Sequence, residues 1–245
     1  MKNVVFNADN GNAKMDAGYH FKNGASSKSH TSRRNFIKTG CIALLAAGIA
    51  FSGCKKDDSI PTSAFDGKLT AKVENAGEYP TVSKIKALDW YGAEIVSAAY
   101  SNGDFALTFP QSPETKFLKL THEAFTSGGV GLEDGSYGCS HDGEDFAKCV
   151  IVDTFEAYDD SNNWVADALY AKLGNPSSTY AIFIYADQNI SELWGHSKDN
   201  DIQVSISLKK GWNTVYVTYN STTDKEVWST KEVSGLKWYL SDDEE

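Results

Sequence analysis

Apolar and polar residues alternate with a period of two along most of the chain beyond residue 64. This period is typical of β-strands that bury one face, and the alternating positions are rich in Val, Ile, Thr, Tyr, Phe and Trp, which favour strands. The pattern predicts about ten short strands. The segments that carry it are KLTAKVEN, EIVSAAYSNGDFALTFP, TKFLKL, CVIVDTFEAY, WVADALYAKL, TYAIFIYAD, DIQVSISL, GWNTVYVTY and LKWYL.

Turn residues between these segments favour antiparallel pairing. Asn102-Gly103 lies between two alternating runs and supplies the two residues that tolerate positive φ, so it predicts a tight hairpin. Only WVADALYAKL competes as a helix. We therefore predict an all-β fold, a two-sheet antiparallel β-sandwich, with a closed lipocalin-like β-barrel as the alternative.

The first 53 residues have a different pattern. Arg33 and Arg34 precede a short apolar run, Ile42 to Phe51, which ends just before Cys54. A cationic segment, an apolar run and small residues are the parts of an export signal, and about 20 apolar residues are needed to span a bilayer, so this run is too short to be a permanent anchor. We predict three parts: residues 1–53 as a removed export signal with a polar extension, 54–63 as a lipidated tether, and 64–245 as one β-rich domain. A seam is expected near 121–148.

The end of the signal resembles the lipobox of bacterial lipoproteins. It reads Ala50-Phe51-Ser52-Gly53-Cys54, and the resemblance implies that Cys54 is acylated, with palmitate or a similar chain, and holds the protein on a membrane. A plain export signal followed by a chance cysteine is the alternative.

Two flanking motifs carry further resemblances. Ser32–Lys38, with Arg33 and Arg34, is similar to a twin-arginine signal, although an ordinary positive segment would look the same. Lys55-Lys56-Asp57-Asp58 resembles the tag that directs lipoproteins of Bacteroidota-type bacteria to the cell surface, with a hydrated spacer as the alternative. Together they imply a cell-envelope location, on the outer membrane and facing outward.

The last 70 or so residues carry a resemblance of their own. YAIFIYADQNISELWG, LKKGWNTVYV and SGLKWYL are similar to segments of uncharacterised secreted and lipid-anchored proteins of Bacteroidota-type bacteria. That resemblance implies an all-β fold and an envelope location, and it transfers no catalytic residue.

Charge excludes one class of partner. Residues 1–53 hold seven Lys or Arg and two Asp or Glu, a net charge of +5, whereas the whole chain carries −10. The part from Cys54 onward therefore carries −15, which opposes binding to nucleic acid and to anionic lipid headgroups. We expect no nucleic-acid partner.

Two cysteines remain beyond the signal and the tether. Nine residues separate Cys139 from Cys149 in an exported chain, so the two predict a disulfide, with two free thiols as the alternative. A zinc site would need further soft ligands, and none is nearby.

No motif marks a catalytic centre. The chain contains no HExxH, no GxSxG and no P-loop in a strand–turn–helix context. An acidic loop offers hard oxygen ligands at Asp142, Glu144 and Asp145, the type that calcium takes, but their spacing does not match an EF-hand. We expect no cofactor unless calcium binds there.

Tryptophan is the best remaining guide to a ligand. Trp212 and Trp238 stand in alternating strands and are expected in the core, whereas Trp90, Trp194 and Trp228 have small or polar neighbours and are candidates for an exposed binding surface. Flat exposed rings on a β-sandwich suit sugar binding by analogy. We therefore predict a non-catalytic binding or accessory module, with glycan or another envelope protein as its partner. The alternatives are a structural envelope interaction protein and a hydrolase with an unmarked acidic site.

Overall fold

The computed structural model describes residues 65–126, 130–132, 137–143, 146–197 and 201–242. The predicted all-β class is confirmed, since fourteen strands form one continuous, mostly antiparallel sheet. Among the described strand pairs, β11 and β13 run parallel and the others run antiparallel. The segment WVADALYAKL, which competed as a helix, forms a strand over Trp164–Lys172.

The strands and the helix have the following bounds. The first part of the chain forms β1 (Lys68–Lys72), β2 (Lys84–Asp89), β3 (Glu94–Ser101), β4 (Asp104–Thr108), β5 (Lys119–Leu120), helix α1 (Thr121–Thr126) and β6 (Gly138–His141). The second part forms β7 (Lys148–Tyr158), β8 (Trp164–Lys172), β9 (Ser177–Ala186), β10 (Ile190–Ser197), β11 (Ile202–Leu208), β12 (Gly211–Asn220), β13 (Lys225–Ser229) and β14 (Lys237–Ser241).

The long strands β7, β9 and β12 are the centre of the sheet. The order along the sheet is β1-β4-β3-β2-β7-β8-β9-β12-β13-β11-β10-β6, with β14 on β8 and β5 on β7. The first half of β7 pairs with β9, and its second half pairs with β8. Strand β7 therefore changes its partner along its length, and all fourteen strands belong to one sheet.

Two hydrophobic cores lie on opposite faces of these central strands. Along β9, Phe183 belongs to the first core, which β1 to β4 and β14 also build. Its neighbours Ile182 and Ile184 point the other way, into a second core built with β10, β11, β13 and α1. Strands covered on both faces read as continuous apolar runs, which explains the unbroken AIFIYA of β9.

The sheet is not closed into a barrel, so the lipocalin-like alternative is not the arrangement found. On the side of the first core, the end of β1 reaches β14 through a single bridge between Val73 and Trp238. The Asn75 side chain continues that contact: its Nδ2 donates to the Leu240 carbonyl at 2.8 Å, and its Oδ1 accepts the Leu240 N–H at 2.9 Å.

The stretch near residues 121–148 supplies α1 and β6 to the second core. Phe125 of α1 is fully buried, and its ring lies 5.9 Å from that of Trp228. Strand β6 pairs with β10. Among the described residues, no helix has the length and apolar character needed to cross a membrane.

The conformation and contacts of two turns explain the residues found in them. The predicted hairpin joins β3 and β4, and Asn102 and Gly103 both have positive φ, 53° and 89°. In the Gly-Trp-Asn segment, Trp212 is buried and donates to the Pro110 carbonyl at 2.7 Å. The buried Asn213 amide donates to the Lys209 and Gly211 carbonyls. That motif therefore has a structural role.

Candidate functional site

An open groove of about 500 Å³ lies on the outer face of β10, β11 and β13. Strand alternation creates it: Ile202, Val204 and Ile206 of β11 point into the second core, and the residues between them point outward. The described residues that line it are Trp194, Gly195, His196, Ser197, Asp201, Ile202, Gln203, Val204, Ser205, Lys225 and Val227.

Trp194 is the principal aromatic surface of the groove. Its side chain is 45% exposed, and the residue pairs with Gly138 of β6 and with Ser205 of β11. A Cβ atom on Gly138 would lie 2.5 Å from the indole Nε1 and Cε2 atoms, so the ring lies directly over the glycine. A glycine in a strand often marks such a close approach. One part of the indole is thus supported by the β6 backbone while another faces solvent.

Polar residues of β10 and β11 share the outer face with Trp194. His196 of β10 pairs with Gln203 of β11, which pairs in turn with Val227 of β13. These three residues form one row across the groove, and Trp194 and Ser205 form the adjacent row. Imidazole, amide and hydroxyl groups both donate and accept hydrogen bonds. The groove therefore combines an apolar platform with hydrogen-bonding groups.

The three predicted binding tryptophans do not come together. Trp194 is exposed as predicted, and Trp90 is half-buried against the second core. Trp228 is 2% exposed, so its predicted exposure is wrong. It occupies an inward position of β13, and its Nε1 donates to the Glu226 carboxylate at 2.7 Å. Because Glu226 and Trp228 point inward, Val227 is turned out into the groove.

The predicted calcium ligands are only partly within the described residues. Asp142 is exposed, and its carboxylate accepts a hydrogen bond from the Asn189 amide at 2.8 Å. Glu144 and Asp145 lie outside the described residues, as do Arg33, Arg34 and Cys54. Within the described part of the chain, no group of three or more His, Cys, Asp or Glu side chains is placed to hold a metal ion.

The structure contains Cys139 and Cys149 as free thiols, so the predicted disulfide between them is not formed in it. Cys149 is buried in the second core, and Cys139 packs against that core from β6. Burial raises the pKa of the Cys149 thiol to about 12, and it also raises the pKa of Cys139. Both shifts favour the protonated thiol over the reactive thiolate.

Buried acids away from the groove have a structural role. Asp89 at the end of β2 is buried, and its Oδ1 accepts the N–H groups of Tyr91 and Ala93 at 3.0 and 2.7 Å. Burial raises the pKa of Asp89, and the neighbouring Asp153 carboxylate adds to that effect. The two hydrogen bonds assign Asp89 to the turn between β2 and β3. In the groove, Asp201 is the carboxylate among the described lining residues.

Sequence reasoning identified Trp194 but missed its partners. The alternation of DIQVSISL assigns Gln203 and Ser205 to one face of β11, but only the pairing across three strands brings them beside Trp194. In a comparison with known proteins, no family, no curated protein and no solved structure matched this chain. Function must therefore be argued from the groove itself.

Proposed function

We propose that this protein is a lipid-anchored cell-envelope module without catalytic activity, and that the groove on β10, β11 and β13 binds a neutral glycan. The observation that carries the proposal is the exposed Trp194 indole, which lies over Gly138 beside a row of hydrogen-bonding side chains. Cys54 supplies the anchor, on the strength of the lipobox-like sequence around it.

The chemistry of the groove fits a sugar. The C–H face of a pyranose ring is apolar and packs on a flat aromatic ring, whereas its hydroxyl groups need donors and acceptors at the edge of that ring. Trp194 offers the first kind of contact, and His196 and Gln203 offer the second. An open groove suits a polymer, because a chain of sugars can extend beyond both ends of it.

Charge favours a neutral glycan over an acidic one. The chain from Cys54 onward has a net charge of −15, so a uronate-rich or sulfated polysaccharide is repelled at long range. Lys225 and Asp201, one charge of each sign, stand at the groove. A neutral polysaccharide meets no such barrier.

The test is a titration of residues 61–245 with neutral soluble polysaccharides, followed by tryptophan fluorescence and calorimetry. This part of the chain contains all described residues of both cores. We expect saturable binding to at least one polysaccharide and a decrease in affinity of about fivefold to thirtyfold in Trp194→Ala, since an aromatic contact of about 1–2 kcal/mol is lost. Gly138→Ala should weaken binding as well, because the added methyl group displaces the indole.

Tyr91→Ala is the matched control, since Tyr91 is also an exposed aromatic residue but lies away from the groove. The proposal is wrong if no polysaccharide binds, or if the Trp194 and Tyr91 variants lose affinity equally. Failure with every polysaccharide would favour the alternative in which the groove contacts another envelope protein.

A further inference from the structure

The described large apolar side chains that are strongly exposed fall into two groups. Trp194 and Val227 belong to the groove. Tyr91, Leu120 and Phe146 are 53%, 41% and 77% exposed and lie elsewhere, around the short strand β5. The proposed glycan site leaves this second group without a role, although exposed apolar side chains that cluster usually mark an interaction surface.

Strand pairing places these three side chains at one end of the molecule. Leu120 pairs with Lys148 at the start of β7, two residues after Phe146. Tyr91 belongs to the turn after β2, and the Nζ atom of Lys119 lies 5.4 Å from the centre of its ring. We call this the β5 end; it is defined by Tyr91, Leu120 and Phe146.

The described chain also begins at the β5 end. The Phe65 N–H donates to the Trp212 carbonyl at the start of β12. That start pairs with the end of β9, which pairs in turn with Cys149 of β7, opposite Lys119. The segment that links the domain to Cys54 therefore leaves from the same end that carries the exposed apolar side chains.

The linking segment can reach no farther than about one diameter of the domain. Cys54 is eleven residues before Phe65, a reach of at most about 40 Å when fully extended. A domain of about 180 residues has a radius of gyration of roughly 16 Å and thus a diameter of about 40 Å, which is similar to that reach. Anchoring at Cys54 therefore keeps the β5 end nearest to the bilayer.

We propose that the β5 end is a membrane-docking face, at which Tyr91, Leu120 and Phe146 enter the headgroup region of the bilayer that holds the lipid on Cys54. This inference rests on the proposed anchor. Apolar side chains bind that region through their buried area, and tyrosine suits it because its ring is apolar and its hydroxyl is polar. Lys119 and Lys148, beside these residues, extend their charged groups toward the phosphates.

Apolar contact, rather than charge, drives this docking. Acidic residues share the β5 end: Glu114 pairs with Lys116 at 2.9 Å, and the Asp187 carboxylate accepts the Lys148 N–H. The mixed charge and the net negative domain favour a neutral surface over a strongly anionic one. Docking should therefore depend little on salt.

The docked orientation leaves the groove accessible. Strand β10 starts at the β5 end, where Ile190 pairs with Leu208, and it ends where Ser197 pairs with Ile202. The groove lies toward this second end, with Lys225 at the start of β13. A glycan can then bind to the side of the domain that faces away from the bilayer.

The test compares amide hydrogen exchange of the full processed protein on phosphatidylcholine vesicles with that of residues 61–245 in solution. We expect at least tenfold slower exchange on vesicles in segments 91–93, 118–121 and 146–148, and no change in 194–197 or 201–205. In the variant Tyr91→Ser/Leu120→Ser/Phe146→Ser this protection should disappear. The matched control Trp194→Ser/Val227→Ser, which removes the other exposed apolar side chains, should keep it.

Protection that survives in the triple variant, protection at the groove instead, or no protection on vesicles would overturn the docking proposal. Mass spectrometry of Cys54 in the same preparation tests the anchor separately. If Cys54 carries no acyl chain, the anchor is wrong. The docking face is then tested by the partition of residues 61–245 into the same vesicles. A partition coefficient that falls tenfold or more in the triple variant, but not in the double control variant, supports the docking face. Equal partition of the wild type and the triple variant refutes it.

Discussion

The Asp89 carboxylate illustrates how one buried group determines both a turn and a pH dependence. It accepts two backbone N–H bonds while it is almost excluded from solvent, and burial raises its pKa above the ordinary value of 3.8. An acid whose pKa is higher in the folded state binds protons more tightly when folded. The free energy of unfolding therefore falls as pH rises through the interval between the unfolded and the folded pKa.

Asp89→Asn should remove this dependence and keep the turn, since an amide oxygen still accepts both N–H groups. We expect the stability of the variant to equal or exceed that of the wild type at pH 7, and the advantage of the variant to shrink as pH falls toward 4. Urea unfolding at several pH values measures it. Asp159→Asn is the control, because Asp159 is a partly exposed turn residue with a lowered pKa and should show the opposite trend. An Asp89→Asn advantage that grows toward low pH would contradict the argument.

Residue-scale patterns also show where sequence reasoning stops. In KEVWS of β13 the polar neighbours of Trp228 suggested exposure, but Glu226 and Trp228 share the inward face and satisfy each other by a hydrogen bond. A buried carboxylate with such a partner cannot be inferred from hydropathy. Because side chains alternate along β13, the orientation that buries Glu226 and Trp228 also exposes Val227 in the groove.

At the scale of elements, the edge of β14 that faces away from β8 is held by a short backbone contact and by one side chain. It pairs with β8 on one side. On the other side Val73 bridges to Trp238 and the Glu74 N–H donates to the Trp238 carbonyl, and Asn75 continues this edge by bonding both the N–H and the C=O of Leu240. Amide side chains can do this because they carry a donor and an acceptor side by side. The contact joins residues 165 positions apart.

Asn75→Ala should therefore destabilise the protein by about 1–3 kcal/mol, since two hydrogen bonds are lost and the Leu240 backbone is left without these partners. Hydrogen exchange in residues 237–241 should accelerate more than in β9. Asn220→Ala is the matched control: its side chain accepts only exposed N–H groups in the turn after β12, and a change below about 0.5 kcal/mol is expected. Equal destabilisation by both variants would show that Asn75 does not hold the strand.

Strands and turns could be predicted where their sequence signal comes from residues that are close together in the chain. The strands around AIFIYA and SNGD follow from hydropathy and turn chemistry, which act between near neighbours. Helix α1 and strand β6 were missed, because six and four residues carry too little periodic signal and are held by contacts with the second core. The groove joins β10 and β11, which are consecutive, with β13, which pairs with β11 across the intervening β12 in the sequence. The residues that line it therefore could not be identified from any one strand.

At the scale of the whole molecule, the shared central strands make the two cores mechanically dependent on each other. Phe183 and Ile184 are neighbours on β9 and lie in different cores. If β9 leaves its place in the sheet, both cores therefore lose buried side chains at once. Elements that share buried strands are expected to unfold as one cooperative unit. The alternative is that the second core, with its helix and its short strand β6, opens first.

Residues 61–245 with Cys139→Ser give a direct measurement, because Cys149 is then the single thiol, and its burial in the second core blocks labelling until that core opens. We expect the urea midpoint from Cys149 labelling to coincide with the midpoint from tryptophan fluorescence. Leu107→Ala, on β4 in the first core, should lower both midpoints equally, by a destabilisation of about 2–5 kcal/mol. If Leu107→Ala moves the fluorescence midpoint and leaves the Cys149 midpoint in place, the cores are independent, and β9 does not couple them.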